Sequence, residues 1–191
     1  MIVYIHGASA TAESFNYIRQ HIKQPDIAIE YDSAHGFKEN LEEMAEVIKN
    51  YNDIIFIAHS LGGIYSLHLA NIFPERVKGA ITLSTPYGGA EVADYAKYFL
   101  PFSRLLRDIG PNSWPMQHAR VDKITRPWIN IVTTAGRSPW MNVPNDGVVT
   151  ISSMKRRQQD MEIIEVDVNH YEVVVSTKVI EIIKNKLKEF K

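Results

Sequence analysis

The chain is expected to fold as one α/β domain, a mostly parallel sheet with helices on both faces. Two observations carry this expectation. Short apolar runs alternate with helix-period segments along the whole length, as in a sheet whose parallel strands are joined by helices. The run Ile54–Ala58 is continuously apolar, as a central strand covered on both faces must be. A length of 191 residues suits a single domain with a substantial core.

The elements follow in order. Ile2 to Ile5 reads as the first strand, and about Thr11 to Lys23 as a helical segment. A strand is expected over Ile27–Tyr31. Leu41, Met44, Ala45 and Ile48 then mark one face of a helix at i, i+3, i+4 and i+7. After the Ile54–Ala58 strand, Leu61 to about Phe73 reads as helix, stopped before Pro74. Further strands are expected at about Gly79–Leu83, Trp128–Thr133 and Glu162–Val166. A last helix after Ser176 would bury Val179, Ile183, Leu187 and Phe190, with lysines at the negative end of its dipole. The stretch from Thr85 to Pro127 breaks this rhythm. It contains Pro86, Pro101, Pro111 and Pro115 and many large apolar side chains, and long insertions of this kind are often functional.

Composition narrows the function classes. Apolar residues make up 45% and charged residues 23%, and 21 Lys+Arg nearly balance 22 Asp+Glu for a net charge of −1. No basic stripe points to nucleic acid, so a neutral or mixed small-molecule substrate is expected. Cysteine is absent, which removes disulfides and thiolate metal sites and fits a reducing cytoplasm. The N-terminus shows no secretory signal, and no run approaches the ~18 apolar residues of a membrane span. A cytoplasmic protein without a transmembrane segment is the expectation.

The most informative segment is Ile57-Ala-His-Ser-Leu-Gly-Gly63, where a strand ends, Ser60 sits at the turn and a helix begins. This is G-x-S-x-G with Ala58 in the first glycine position, in the strand–turn–helix setting that a nucleophile elbow requires. Serine there stands clear of the sheet, and its neighbours at two before and two after must be small because two backbones nearly touch. A plain serine N-cap would not explain Gly62 and Gly63 at a helix start, where glycine is unfavourable. One oxyanion donor is then the N–H of Leu61. The second is expected from the loop leaving the first strand, Ile5-His-Gly-Ala8, with Ala8 as candidate. His6 reads as a brace for that loop.

Seven histidines compete for the role of base. It must reach Ser60 from a loop at the C-terminal edge of the sheet, and His170 follows the last strand and precedes the last helix. His59 adjoins Ser60 but is expected to point elsewhere on the elbow. His68 reads as a packed or surface residue, His21 as a surface residue, and His35 and His118 as loop residues. Chain order Ser–acid–His restricts the acid to positions between Ser60 and His170. Asp146, in Pro144-Asn-Asp-Gly-Val-Val149, follows a strand and is preferred over Asp167, which shares the loop of His170. Asp94, Asp108 and Asp122 fall inside the long insertion, and Asp160 at the wrong end of the last strand.

With these residues placed, the chain resembles the small bacterial triacylglycerol lipases and esterases of the α/β-hydrolase superfamily. Ile5-His-Gly7 with Ser14-Phe-Asn16 resembles their oxyanion loop and first helix, and Ala58-His-Ser-Leu-Gly62 their elbow. Ser84-Thr-Pro-Tyr-Gly-Gly-Ala-Glu-Val-Ala-Asp94 is similar to a segment of the larger lipases, Asn145–Val149 to their acid loop, and Val168–Glu172 to their histidine loop. The resemblance implies a minimal member of about six strands, beginning at the third strand of the full fold, and ester hydrolysis through an acyl-serine. No cofactor is expected. In the larger lipases a carboxylate two residues after the histidine helps hold calcium; Glu172 stands there, without an evident set of partner ligands, and no metal is assigned.

Tyr95, Tyr98, Phe99, Phe102, Leu105 and Leu106 lie within 85–127, which reads equally as a cap over Ser60 or as a core-facing helix. Tyr87, Phe99, Phe102 and Trp140 are candidates for the pocket wall, and Trp114, Met116 and Met141 are loop residues that either join it or pack. The main expectation is a serine carboxylester hydrolase for lipid-like or small apolar esters. Two alternatives remain: a thioesterase or acyltransferase on the same residues, and a non-catalytic binding protein on a hydrolase scaffold.

Overall fold

A computed structural model describes residues 1–33, 35–88, 114–138 and 141–190. Its strands are β1 (Ile2–Ile5), β2 (Asp26–Ile29), β3 (Ile54–His59), β4 (Val77–Leu83), β5 (Trp128–Thr133) and β6 (Glu162–Val166). They form a six-stranded sheet in the order β2-β1-β3-β4-β5-β6, and every pairing is parallel. The chain moves outward from β1 to β2 and then returns to place β3 on the other side of β1. Strand order therefore reverses between β1 and β3, and their carboxyl ends border the crevice where open α/β sheets bind ligands.

The helices are α1 (Asn16–Ile22), α2 (Phe37–Ile48), α3 (Leu61–Ile72), α4 (Trp114–Val121), α5 (Ile151–Met154) and α6 (Thr177–Lys186). Alternation along the strands divides the core into two layers. Val3, Ile5, Phe56, Ala58 and Ala80 face α2, α3 and α4. Ile2, Tyr4, Ile57, Ile81, Leu83, Ile129 and Ile131 face α1 and α6. In α2, Phe37, Leu41, Met44 and Ile48 are buried. Residues Leu61 to Leu69 of α3 are all buried, because α3 lies against the sheet on one side and against α2 and α4 on others.

The expected elements are present with shifted edges. The first helical segment divides into a 3₁₀ turn at Ala12–Phe15 and α1. β2 ends at Ile29, and Tyr31 instead leaves the strand line to stack on His6 at 4.2 Å. β4 starts two residues early, at Val77. The last helix ends at Lys186, with Leu187 and Phe190 still buried, and Ser176 caps it by accepting from the Val179 N–H.

Both described ends of the 85–127 stretch are packed. Thr85 and Tyr87 are buried, and α4 brings Met116 and Ala119 into the core. Trp114 is half exposed and stacks on His68, so Trp114 and Met116 are helical rather than loop residues. Residues 89–113, with Phe99, Phe102, Asp94 and Asp108, lie outside the described residues, as does Trp140. Among the described residues, no helix is long and apolar enough to cross a membrane.

Candidate active site

The elbow is set by steric exclusion. Ser60 caps α3 at φ 52°, ψ −120°, a conformation that non-glycine residues rarely hold unless their surroundings enforce it. Its N–H donates to the Leu83 carbonyl at 2.8 Å. Its carbonyl accepts from the Gly63 N–H at 3.0 Å and the Thr85 hydroxyl at 3.1 Å. A Cβ on Gly62 would stand 2.1 Å from the Ile5 carbonyl oxygen, and one on Gly63 2.0 Å from Thr85 Oγ1. Ala58 lies opposite Ile5 in the β1–β3 register and is fully buried.

The loop after β1 touches the elbow directly. A Cβ on Gly7 would fall 3.1 Å from Ser60 Cβ and 3.0 Å from His59 Nδ1. Ala8 follows in a turn closed by the Ala10 N–H on the Gly7 carbonyl at 3.3 Å, and Ser9, at φ 57°, donates its N–H to Ser33 Oγ. Leu61 opens α3, so its N–H has no acceptor within the helix and lies at the positive end of the dipole. His6 is buried, with Nδ1–H donating to the Gly7 carbonyl at 2.8 Å and Nε2 accepting from the Tyr31 N–H at 3.3 Å. Burial pulls its pKa down, so a neutral ring braces the loop.

Hydrogen bonds hold the other two residues. His170 Nδ1–H donates to Asp146 Oδ2 at 2.7 Å, and the side chains are 4% and 0% exposed. The His170 N–H also donates to the Asp146 carbonyl at 3.1 Å. Asp146 Oδ1 accepts the Val148 and Val149 N–H groups at 3.0 and 2.8 Å, and Oδ2 also accepts the hydroxyl of Thr133. Burial alone would raise the Asp146 pKa. The hydrogen bond and charge of His170, with Thr133 and Val149, outweigh it and hold the carboxyl below its ordinary range. Asp167 is exposed on the approach to His170.

The two halves meet through His59. Its Nε2–H donates to the His170 carbonyl at 2.9 Å, and the two rings lie 4.8 Å apart. Ser60 is the next residue in the chain after His59. Burial, then the neighbouring His170, takes the His59 pKa down to about 3. A model described as the alpha/beta hydrolase family matches residues 2–153.

The chain belongs to the alpha/beta hydrolase family.

Solved structures share the fold across nearly the whole chain. The mature lipase BlEst2 of Bacillus licheniformis superposes with a TM-score of 0.71 at 15% identity, covering 97% of this chain and 91% of that one. The monoacylglycerol lipase of Paleococcus ferrophilus gives 0.69 at 14%, covering 99% and 92%. Mouse alpha/beta hydrolase domain-containing protein 10 gives 0.73 at 13%, covering 98% and 88%. The family match ends before His170.

Other predicted residues fall away from an open site. Tyr87 is fully buried, its hydroxyl donating to Thr82 Oγ1 at 3.2 Å and accepting from Trp128 Nε1–H at 2.8 Å. That makes it part of the core rather than a pocket wall, and burial pushes its phenol up to about 12. Met141, by contrast, is mostly buried but lines a cavity with Gly136, Ser138 and Asn145. Glu172 closes a turn by accepting the Asn169 N–H at 3.0 Å. Among the described residues, no group of three His, Asp or Glu side chains gathers where a metal ion would sit. His118 lies on α4 rather than in a loop, and His68 is buried with Nε2–H on the Pro115 carbonyl. Sequence reasoning missed His59 and Thr133. The position of Thr133 at the end of β5 was a usable signal; the partner of His59 is 111 residues away and left none.

Proposed function

We propose that this hydrolase cleaves carboxylic esters through an acyl-serine on Ser60, with His170 as base and Asp146 as the acid that orients it. The observation that carries the reading is the buried Asp146–His170 bond of 2.7 Å, tied through His59 to the elbow that holds Ser60 at positive φ. His170 Nδ1–H is committed to an anionic carboxylate, which leaves Nε2 as the ring nitrogen that takes a proton.

Ser60 Oγ attacks the ester carbonyl while its proton passes to His170 Nε2, and Asp146 stabilises the imidazolium that forms. The carbonyl oxygen becomes an oxyanion, held by the N–H groups of Leu61 and Ala8; each such donor is worth about 10²–10³ in rate. The tetrahedral intermediate expels the alkoxide, which takes the proton from His170 and leaves as alcohol. Water then attacks the acyl-serine, giving a proton to His170 that returns to Ser60 as the acid departs. Two of the structural neighbours are lipases by name, which supports lipid-like or small apolar esters as substrates.

The test is turnover of p-nitrophenyl esters of increasing acyl length, with a fluorophosphonate label, for wild type and Ser60→Ala. The expected result is labelling of wild type alone and a fall in kcat of about 10⁶-fold in the variant. A wild type that neither turns over the esters nor takes the label would favour a binding protein on this scaffold.

A further inference from the structure

We infer that His59 is a positioning residue, holding His170 in register between Asp146 and Ser60 through its bond to the His170 backbone carbonyl. The inference rests on His170 being the base. His59 ends β3 on the same face as Ile57, which packs in the layer containing Val166, Val173 and Val179 around the His170 loop. Its ring therefore points across the sheet's edge to that loop, with Gly7 on another side and Ser60 next in the chain.

His170 is held at three of its polar groups. Its N–H is on the Asp146 carbonyl, its Nδ1–H on Asp146 Oδ2, and its carbonyl on His59 Nε2–H. The first two bonds fix His170 to Asp146, which Thr133 anchors to the end of β5, and neither reaches the elbow. The third ties it to the residue that precedes Ser60, which sets the distance between base and nucleophile. A leucine or phenylalanine would fill the same space without supplying that donor, and would leave a buried carbonyl unpaired.

The donor has to be neutral. His59 faces His170, which gains positive charge during the reaction, with Asp146 behind it and His6 beyond the Gly7 loop. A second imidazolium at 4.8 Å between ring centres would oppose that charge, and burial keeps His59 unprotonated at neutral pH.

Three variants of the full chain separate positioning from packing. His59→Gln carries an N–H donor at about the reach of Nε2, His59→Asn stops short at about the reach of Nδ1, and His59→Leu has none. Expected are a kcat reduced about 10- to 100-fold in the Leu and Asn variants with KM little changed, and near-wild-type kcat in Gln. The low-field proton resonance of His170 Nδ1–H on Asp146 should persist in wild type and Gln and weaken in Leu and Asn. Should Leu fail to fold, the Asn–Gln pair gives the same contrast. Wild-type kcat and an unaltered resonance in Asn or Leu would overturn the inference, as would a Gln variant as impaired as Asn. A wild type without turnover or label would sink the ester-hydrolase reading instead, while the resonance would still report whether His59 positions the pair.

Discussion

The elbow after β3 and the paired loops after β5 and β6 hold the proposed catalytic side chains by different means. At the elbow, Gly62 and Gly63 let the Ile5 carbonyl and Thr85 approach so closely that a Cβ at either would meet them at about 2 Å. Ser60 sits at positive φ between these closely packed backbones, its own N–H and carbonyl bonded to Leu83, Gly63 and Thr85. Asp146 and His170 are held instead by donors: Thr133, Val148 and Val149 on one carboxylate, and His59 on the histidine's carbonyl. Steric positioning is written in a few consecutive residues. Hydrogen-bond positioning is assembled from strands far apart in the chain.

The largest effect expected from breaking the second kind is at Asp146. Asp146→Asn retains one oxygen for the Val148 and Val149 N–H groups. It replaces the oxygen that accepts from His170 and Thr133 with an N–H₂, so His170 is driven to the wrong tautomer. Turnover of a p-nitrophenyl ester should fall by about 10⁴-fold, with the far-UV circular dichroism spectrum retained. A fall below about tenfold would mean that the buried pair is a structural contact.

This contrast also explains what was legible in the sequence. The six strands and α2, α3 and α6 were readable because apolar runs and helical periodicity are local properties. The elbow was readable for the same reason. α4 was not: it is eight residues long, carries Pro115 in its first turn and buries few apolar side chains. α5 is a single turn held by the Thr150 cap, too short to show a period. Asp146 was preferred to Asp167 on chain order and strand position, because Asp146 lies in the loop after β5 whereas Asp167 shares the loop of His170. Tyr87 misled for a physical reason. An aromatic residue beside a suspected cap reads as pocket wall until its hydroxyl partners, Thr82 and Trp128, are known.

The steric side of the comparison breaks at Gly62. Alanine is the better helix former by about 1 kcal/mol, so propensity alone predicts that Gly62→Ala stabilises α3. The Ile5 carbonyl, 2.1 Å from the added Cβ, is backbone and cannot rotate aside, which predicts the opposite sign. A loss of about 1–3 kcal/mol is expected, read as a lower urea midpoint with unchanged m. A midpoint at or above wild type would show that the elbow tolerates a methyl group and that its glycine is not held by contact with β1.

The last effect concerns acid. Above the ordinary histidine pKa of about 6.5, His59 is neutral in both folded and unfolded chains, and its stability contribution is constant. Between there and about 3, the unfolded chain takes a proton that the buried ring refuses, so stability falls as pH drops. His6 and His68, also lowered by burial, add in the same direction. Asp146, held below the usual carboxyl range, contributes stability above that range that is lost only as pH falls through its lower folded value. Urea midpoints at pH 7 and pH 4.5 should therefore decline in wild type, and decline less in His59→Gln, which has no proton to refuse. The expected difference is of the order of 1 kcal/mol per pH unit. Equal declines would mean that His59 is readily protonated in the folded chain, and that its bond to His170 is not the contact of a neutral, buried ring.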